Sequence, residues 1–142
     1  MNSIRERAMR FGLRAAVLAI VTSLGGPASA AVCQDKSMTL DEIVEAINAA
    51  PDCEGAMKLF QDCSFGSSGD VQLGEAVEKK CHGDFAGSLK GRKKQAYQRE
   101  MGVCDRKYRN ESGTMYRSFT AFCRAEVAQR YSQQMRKAAG AK

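Results

Sequence analysis

Apolar residues recur at helical spacing in four to five stretches of the chain, and no stretch of useful length alternates as a β-strand does. The first helix is predicted to begin at Thr39, because segment 39–42 (TLDE) matches a capping box, and to end at Pro51. A short second helix is predicted from Asp52, its cap, to about Asp62. The residues expected to face inward on these two helices are Leu40, Ile43, Val44, Ile47, Ala56, Leu59 and Phe60.

Three further helices are predicted after the loop 64–69 (SFGSSG). Asp70 is expected to cap the third helix, and the glycines from Gly87 to Gly91 are expected to interrupt the chain after it. Segment 110–114 (NESGT) turns the fourth helix into a last helix, with a frayed tail after Arg136. The predicted inward stripes are Leu73, Val77, Cys81 and Phe85, then Tyr97, Met101, Cys104 and Tyr108, then Met115, Phe119, Phe122, Cys123, Val127, Tyr131 and Met135.

Residues 1–30 have the three parts of a secretory signal peptide. Four arginines precede a short apolar run, 15–21 (AAVLAIV), and a Gly-Gly-Pro break leads to a small-residue cleavage site, 28–30 (ASA). The run is far shorter than the ~20 residues that span a bilayer, so we expect cleavage rather than membrane anchoring. A lipoprotein signal is the rival interpretation, but Val32 stands before Cys33 where such signals have a small residue. We therefore predict a mature protein, 31–142, exported to the periplasm or the medium.

The six cysteines all lie in the predicted mature chain, which is short enough for a single small domain. An even number of cysteines in a small exported chain indicates a disulfide framework, and each disulfide contributes about 2–4 kcal/mol to a marginal stability. The sequence thus predicts one all-α, disulfide-stapled domain of four to five helices. The cysteines expected to pair are Cys33, Cys53, Cys63, Cys81, Cys104 and Cys123.

Fifteen pairings of six cysteines are possible, and the predicted hairpin favours one bond. Cys104 and Cys123 lie at similar distances from the turn at 110–114, so they are expected to pair. The pairing of the other four stays open. One arrangement is a Cys53–Cys63 bond that staples the short second helix to the loop after it, which leaves Cys33 to reach Cys81.

Enzymatic chemistry finds little support in these residues. No Cys-x-x-Cys occurs, so the usual spacing of a thioredoxin-type redox pair or a zinc knuckle is missing, and no metal or cofactor is expected. Cys81 and His82 are adjacent, but neighbours on a helix point about 100° apart, which argues against a nucleophile–base dyad. The sequence predicts a protein that is not an enzyme.

Charge is divided unevenly along the mature chain. Residues 31–88 carry 11 acidic and 4 basic side chains, whereas residues 89–142 carry 4 acidic and 14 basic ones. Such asymmetry can steer a charged partner to one end of a molecule. The alternative is that the two halves fold against each other and neutralise internally.

A basic cluster at the start of the second half is a candidate contact for anionic glycolipid or membrane. Only two tyrosines, Tyr97 and Tyr108, are interleaved with its charges, which is a thin platform for stacking bases, so nucleic acid is not an expected partner. A solvated helix face is the plain alternative. The cluster consists of Lys90, Arg92, Lys93 and Lys94.

Residues in both halves of the chain follow the spacing of a known family. Those of the second half are Leu89-Lys90, Tyr97, Arg99, Cys104, Gly113-Thr114-Met115, Cys123, Glu126 and Arg130, and those of the first half are Cys53, Cys63, Asp70 and Leu73. In these positions the chain resembles the lysozyme inhibitor LprI N-terminal domain family. The chain departs from the family pattern with Gly74 where Asn is frequent, with Tyr97 where Trp is frequent, and with Cys33 and Cys81 as additional cysteines.

This resemblance implies a small exported helical domain that, in at least some relatives, inhibits lysozyme, with no catalytic residues to carry over. Lysozymes are usually cationic, so the acidic half is the expected docking face, through contacts chosen by charge alone. These are Asp41, Glu42, Glu45, Asp52, Glu54 and Asp62. The alternative function is an envelope structural or anionic-glycolipid-binding protein of the periplasm that uses the basic cluster.

Overall fold

The chain forms five α-helices in a computed structural model that describes Cys33 and residues 38–140. No β-strand occurs in these residues, so the all-α, disulfide-stapled fold is confirmed. The predicted signal peptide lies outside them. The helices are α1 (Leu40–Ala49), α2 (Cys53–Cys63), α3 (Asp70–Phe85), α4 (Gly91–Lys107) and α5 (Thr114–Gly140), with a 3-10 turn (Ala86–Ser88) between α3 and α4.

The first two helices begin at the predicted caps. The Thr39 hydroxyl accepts a hydrogen bond from the Glu42 N–H, and the Glu42 carboxylate accepts one from the Thr39 N–H at 2.7 Å, which completes the capping box. At α2 the Asp52 carboxylate accepts the Gly55 N–H at 2.8 Å. Both predictions are confirmed, because local sequence is sufficient to specify a helix start.

The prediction that Asp70 caps α3 is wrong. Gly69 occupies the N-cap position, without a side-chain cap, and Asp70 is the first residue of the helix. Its carboxylate, fully buried, points back into the bundle and accepts hydrogen bonds from the Phe65 and Gly66 N–H groups at 2.7 and 2.9 Å. Asp70 therefore orders the preceding loop instead of the helix end.

The last helix departs from its prediction at both ends. It continues to Gly140, so the expected fraying after Arg136 is wrong. Met115 and Phe119 are exposed, whereas Val127 and Tyr131 are buried as predicted. The prediction of a single buried stripe is wrong because α5 contacts α2, α3 and α4 and is therefore covered on more than one side. Much of its buried surface is made of small residues, namely Ser118, Ala121, Ala125, Ala128 and Ser132.

Helices α3 and α5 form the centre of the bundle and run parallel, since residues along α3 meet residues along α5 in the same order. Helix α4 runs antiparallel to α5 as the other arm of a hairpin. Helices α1 and α2 pack on each other and on α3, and α2 also contacts α5. In the described part of the chain α1 contacts neither α4 nor α5. The largest fully buried side chains are Phe60, Phe85, Ile47, Met57, Leu73 and Val77.

Three disulfides close the structure, and one of them was predicted. Cys104 and Cys123 bond across the α4–α5 hairpin, with Cα atoms 5.6 Å apart. The arrangement considered for the other four cysteines, Cys53–Cys63 with Cys33–Cys81, is wrong, because Cys53 and Cys63 begin and end the same helix and so lie about 15 Å apart. The observed bonds are Cys33–Cys63 and Cys53–Cys81, with Cα separations of 5.2 and 4.6 Å.

The disulfides also bear on where the protein works. Three such bonds are typical of an oxidising, exported compartment. Among the helices described, none is both long and apolar enough to cross a membrane.

Candidate binding surfaces

Helix α1 presents an acidic face to solvent. Asp41, Glu42 and Glu45 are exposed, and the helix has no basic residue. Glu42 is engaged in the capping box, where the backbone N–H and then the hydroxyl of Thr39 lower the pKa of its carboxyl. Asp41 and Glu45 have no ion-pair partner among the described residues. Their charges are the ones most available to a partner.

The three predicted contacts on α2 are already occupied within the chain. Asp52 caps the helix and lies 3.8 Å from the Arg136 guanidinium, and Asp62 pairs with Lys58 at 2.8 Å. Glu54 accepts hydrogen bonds from α5 at 2.6–2.8 Å, donated by Gln129, Gln133 and Arg136. The structure thus brings the six predicted carboxylates onto two adjacent helices but divides them into free and engaged groups.

Three arginines of α5, namely Arg124, Arg130 and Arg136, are paired with carboxylates of the same chain. Arg124 binds both carboxylate oxygens of Glu78, at 2.8 and 2.9 Å, and Asp105 on α4 at 2.7 Å. The hydrogen bonds to Glu78, and then those to Asp105, raise the pKa of Arg124 above its ordinary value. Arg130 likewise pairs with Glu100. Internal neutralisation, the alternative considered for the charge asymmetry, therefore operates along α5.

The basic cluster lies at the start of α4, a helix that does not contact α1 in the described residues. All four of its side chains are exposed, and none forms an ion pair with the residues that the structure describes. The cluster is an exposed helix face, a property that both the solvated-face interpretation and the anionic-surface hypothesis require. Its members are Lys90, Arg92, Lys93 and Lys94.

A groove of about 550 Å³ separates α3 from α4, with Arg124 of α5 among its lining residues. His82 lines it and is exposed, 6.1 Å from the Tyr97 ring centre. Cys81 is buried in a disulfide, so it cannot serve as a nucleophile beside His82. Within residues 38–140 and Cys33, no group of three or more His, Cys, Asp or Glu side chains is placed to hold a metal ion.

The buried Asp70 is a residue whose role sequence reasoning missed. Besides the two loop N–H groups, its carboxylate accepts a 2.6 Å hydrogen bond from the Ser118 hydroxyl of α5. One side chain therefore ties the 64–69 loop, α3 and α5 together. The signal was present as an acidic residue after a Gly- and Ser-rich loop, but the same pattern is typical of a helix cap.

A second missed feature is an aromatic cluster at the α4–α5 turn. The rings of Tyr108, Tyr116 and Phe119 pack on one another, with centres 5.6–6.0 Å apart. Met115 stands exposed in the first turn of α5 beside them. The spacing of these residues had assigned Tyr108, Met115 and Phe119 to the core, because apolar periodicity does not distinguish a buried stripe from an exposed patch.

Comparison of the chain with protein-family models, with curated proteins and with solved structures finds no match.

Proposed function

We propose that this protein is an exported, non-enzymatic binding protein that inhibits a lysozyme-type muramidase through the acidic face of α1. The observation that carries the proposal is the state of Asp41 and Glu45, which are exposed and lack ion-pair partners among the described residues. A cationic enzyme is the class of partner that such a face attracts, and the attraction weakens as salt is added.

The arrangement of the basic residues supports this docking mode. Repulsion of a cationic enzyme by the second half of the chain is reduced, because Arg124, Arg130 and Arg136 are each paired with carboxylates. The exposed basic residues of α4 belong to a helix that does not contact α1 in the described residues.

The rigidity of α1 also favours binding. Its start is held by the capping box, and Ile43 and Ile47 anchor its inner face in the core. A Lys80 ammonium donates a 3.0 Å hydrogen bond to the Asn48 carbonyl near its end. A face that is ordered before binding loses little conformational freedom in a complex.

Charge reversal on α1 tests this docking mode. The Asp41→Lys/Glu45→Lys variant is expected to inhibit a lysozyme acting on bacterial cell walls about tenfold or more less strongly than the unmodified protein. Glu126→Lys is the control, with half the change in net charge, since Glu126 is an exposed acidic residue of α5, and we expect it to inhibit nearly as well. Undiminished inhibition by the α1 variant would contradict the docking mode.

Binding to an anionic envelope surface through Lys90, Arg92, Lys93 and Lys94 is the second candidate function. It is favoured by the exposure of all four side chains and by their lack of ion pairs in the described residues. The Lys93→Ala/Lys94→Ala variant is expected to lose salt-dependent retention on anionic liposomes if this cluster is the anchor. Unchanged retention would exclude the cluster.

A further inference from the structure

Exposed apolar side chains concentrate at the turn between α4 and α5. Of the four large hydrophobic residues exposed in the described part of the chain, Met115 and Phe119 lie in the first two turns of α5, at 48% and 40% exposure. Neighbouring Tyr108 and Tyr116 are half-buried and hold the Phe119 ring from two sides. We call residues 106–119 the hairpin tip.

Basic residues surround this apolar cluster. Arg106, Lys107, Arg109 and Arg117 are exposed and form no ion pair with the residues that the structure describes. The Lys107 ammonium lies 5.1 Å from the centre of the Tyr108 ring, a cation–π distance. The tip therefore combines an apolar centre with a positively charged rim.

A small cavity of about 190 Å³ lies within the tip, and its lining includes Arg109 and Arg117 beside Tyr108 and Tyr116. The carboxylates of Asp105 and Glu111 also line it, but Asp105 is paired with Arg124. The first turn of α5 has no acidic residue, so its positive helix end is not neutralised by its own side chains. These features favour an anionic group over a cationic one.

We propose that the hairpin tip docks on an anionic phospholipid bilayer. Met115 and Phe119 enter the boundary between headgroups and acyl chains, where amphipathic and aromatic side chains partition well. The basic rim binds the lipid phosphates, as guanidinium and ammonium groups do at anionic membrane surfaces. Charge complementarity selects this occupant, because an apolar patch alone does not specify one.

The docking surface at the tip is separate from the acidic face of α1. The tip belongs to the α4–α5 hairpin, whereas α1 contacts only α2 and α3 in the described residues. The first turn of α1 and the tip nevertheless lie toward the same end of α3, since Leu40 lies beside Gly69 and Ser118 is bonded to Asp70. The docking surface uses none of the residues proposed to contact a muramidase, so either property can fail without the other.

Sedimentation with liposomes tests the proposal. The oxidised protein is mixed with vesicles of phosphatidylcholine containing phosphatidylglycerol, and separately with vesicles of phosphatidylcholine alone. We expect binding to the anionic vesicles that weakens as salt is added and is at least about tenfold weaker on neutral vesicles. Absence of binding, or equal binding to both vesicles, would overturn the proposal.

Two tip variants and one control locate the contact. Met115→Ser/Phe119→Ser and Arg109→Ala/Arg117→Ala are each expected to reduce binding about tenfold or more. Lys93→Ala/Lys94→Ala, the variant that tests the basic cluster as the anchor, removes two positive charges from the other end of α4, roughly 20 Å away; docking through the tip requires that it change binding less than about threefold, whereas docking through the cluster requires a loss. The reverse pattern, with only the control impaired, would place the anchor in the basic cluster and overturn the proposal.

A fluorescence measurement distinguishes insertion from purely electrostatic adsorption. The chain has no tryptophan, so Phe119→Trp introduces a single indole at an exposed position of the tip. We expect anionic vesicles to shift its emission to the blue, and brominated acyl chains to quench it. Binding without either change would show that the tip does not enter the bilayer and would contradict the role given to Phe119.

Discussion

Helices α3 and α4 both pack on α5, but by different means. Along α3 the contact is close and buried, with Gly74 against Ala121 and the Asp70 carboxylate bonded to Ser118. Helix α4 buries only Met101 and Cys104 and is covalently tied to α5 by a disulfide. The polar contacts of α3 with α5 therefore stabilise the fold, whereas most charged side chains of α4 are exposed and available to bind a partner.

Loss of the Asp70 carboxylate is the strongest expected break in the α3–α5 contact. Asp70→Ala removes the acceptor of three hydrogen bonds and leaves their donors in or near the core, so we expect it to lower the free energy of unfolding by about 3–4 kcal/mol. Thermal or urea unfolding measures the change. Ser118→Ala, which removes one donor, is expected to cost about 1 kcal/mol. Equal effects of the two variants would contradict this role of Asp70.

Removal of the hairpin disulfide is expected to act mainly on α4. The Cys104→Ser/Cys123→Ser variant loses a bond that closes a loop of about 20 residues, which lowers the free energy of unfolding by about 3 kcal/mol. Hydrogen exchange should increase more in α4 than in α3, because α4 has few buried side chains of its own. Equal increases in both helices would contradict the contrast drawn between them.

Two glycines of α3 offer a matched pair that measures how close α3 lies to α5. A Cβ at Gly74 would lie 2.9 Å from the Ala121 Cβ and 3.1 Å from its carbonyl oxygen, so Gly74→Ala is expected to destabilise by about 1–2 kcal/mol. Gly83 has no such neighbour, so Gly83→Ala is expected to stabilise by up to about 1 kcal/mol through helix propensity. Stabilisation by both substitutions, in thermal melts, would contradict the close approach.

The smallest expected effect concerns a partly buried polar contact between α4 and α5. The Tyr131 hydroxyl donates a 2.8 Å hydrogen bond to Glu100, and this bond, followed by the Arg130 contact, lowers the pKa of the Glu100 carboxyl. Folding thus favours the ionised Glu100 carboxylate. The stability that this carboxylate adds to the folded state is present at neutral pH and is lost as the pH falls below about 4. Tyr131→Phe should cost about 1 kcal/mol at pH 7 and less at pH 3. A loss independent of pH would exclude this linkage.

Alkaline pH tests the same contact through the ionisation of its tyrosines instead of that of Glu100. Burial raises the pKa of Tyr131, and the hydrogen bond to Glu100 adds to the rise. Burial likewise raises the pKa of Tyr97, whose ring centre lies 5.1 Å from that of Tyr131. Because folding favours the neutral form of both phenols, their contribution to the free energy of unfolding is complete below pH 10 and declines above it.

Structural features that depend on residues close together in the sequence are predicted correctly. The capping box at Thr39, the Asp52 cap and the Cys104–Cys123 bond each depend on a short segment or on one turn, and all three are confirmed. The all-α fold follows from apolar periodicity for the same reason.

The features that sequence reasoning missed depend on which helices become neighbours. Cys53 bonds to Cys81 because α2 packs on α3, a contact that no local pattern encodes. Asp70 turns inward because Ser118 of α5 and two loop N–H groups meet it there. The division of the acidic residues into free and engaged groups follows from the same packing, since Glu54 is bonded by α5 and Asp41 is not.

The lytic titration tests the central claim most directly. The oxidised protein is titrated into several lysozyme types acting on bacterial cell walls, at low and at moderate salt. We predict dose-dependent inhibition that weakens as salt is added, because the proposed contact is formed by the exposed α1 carboxylates. Absence of inhibition at a large molar excess, against every lysozyme type, would contradict the account and leave the anionic-surface hypotheses as the functions to pursue.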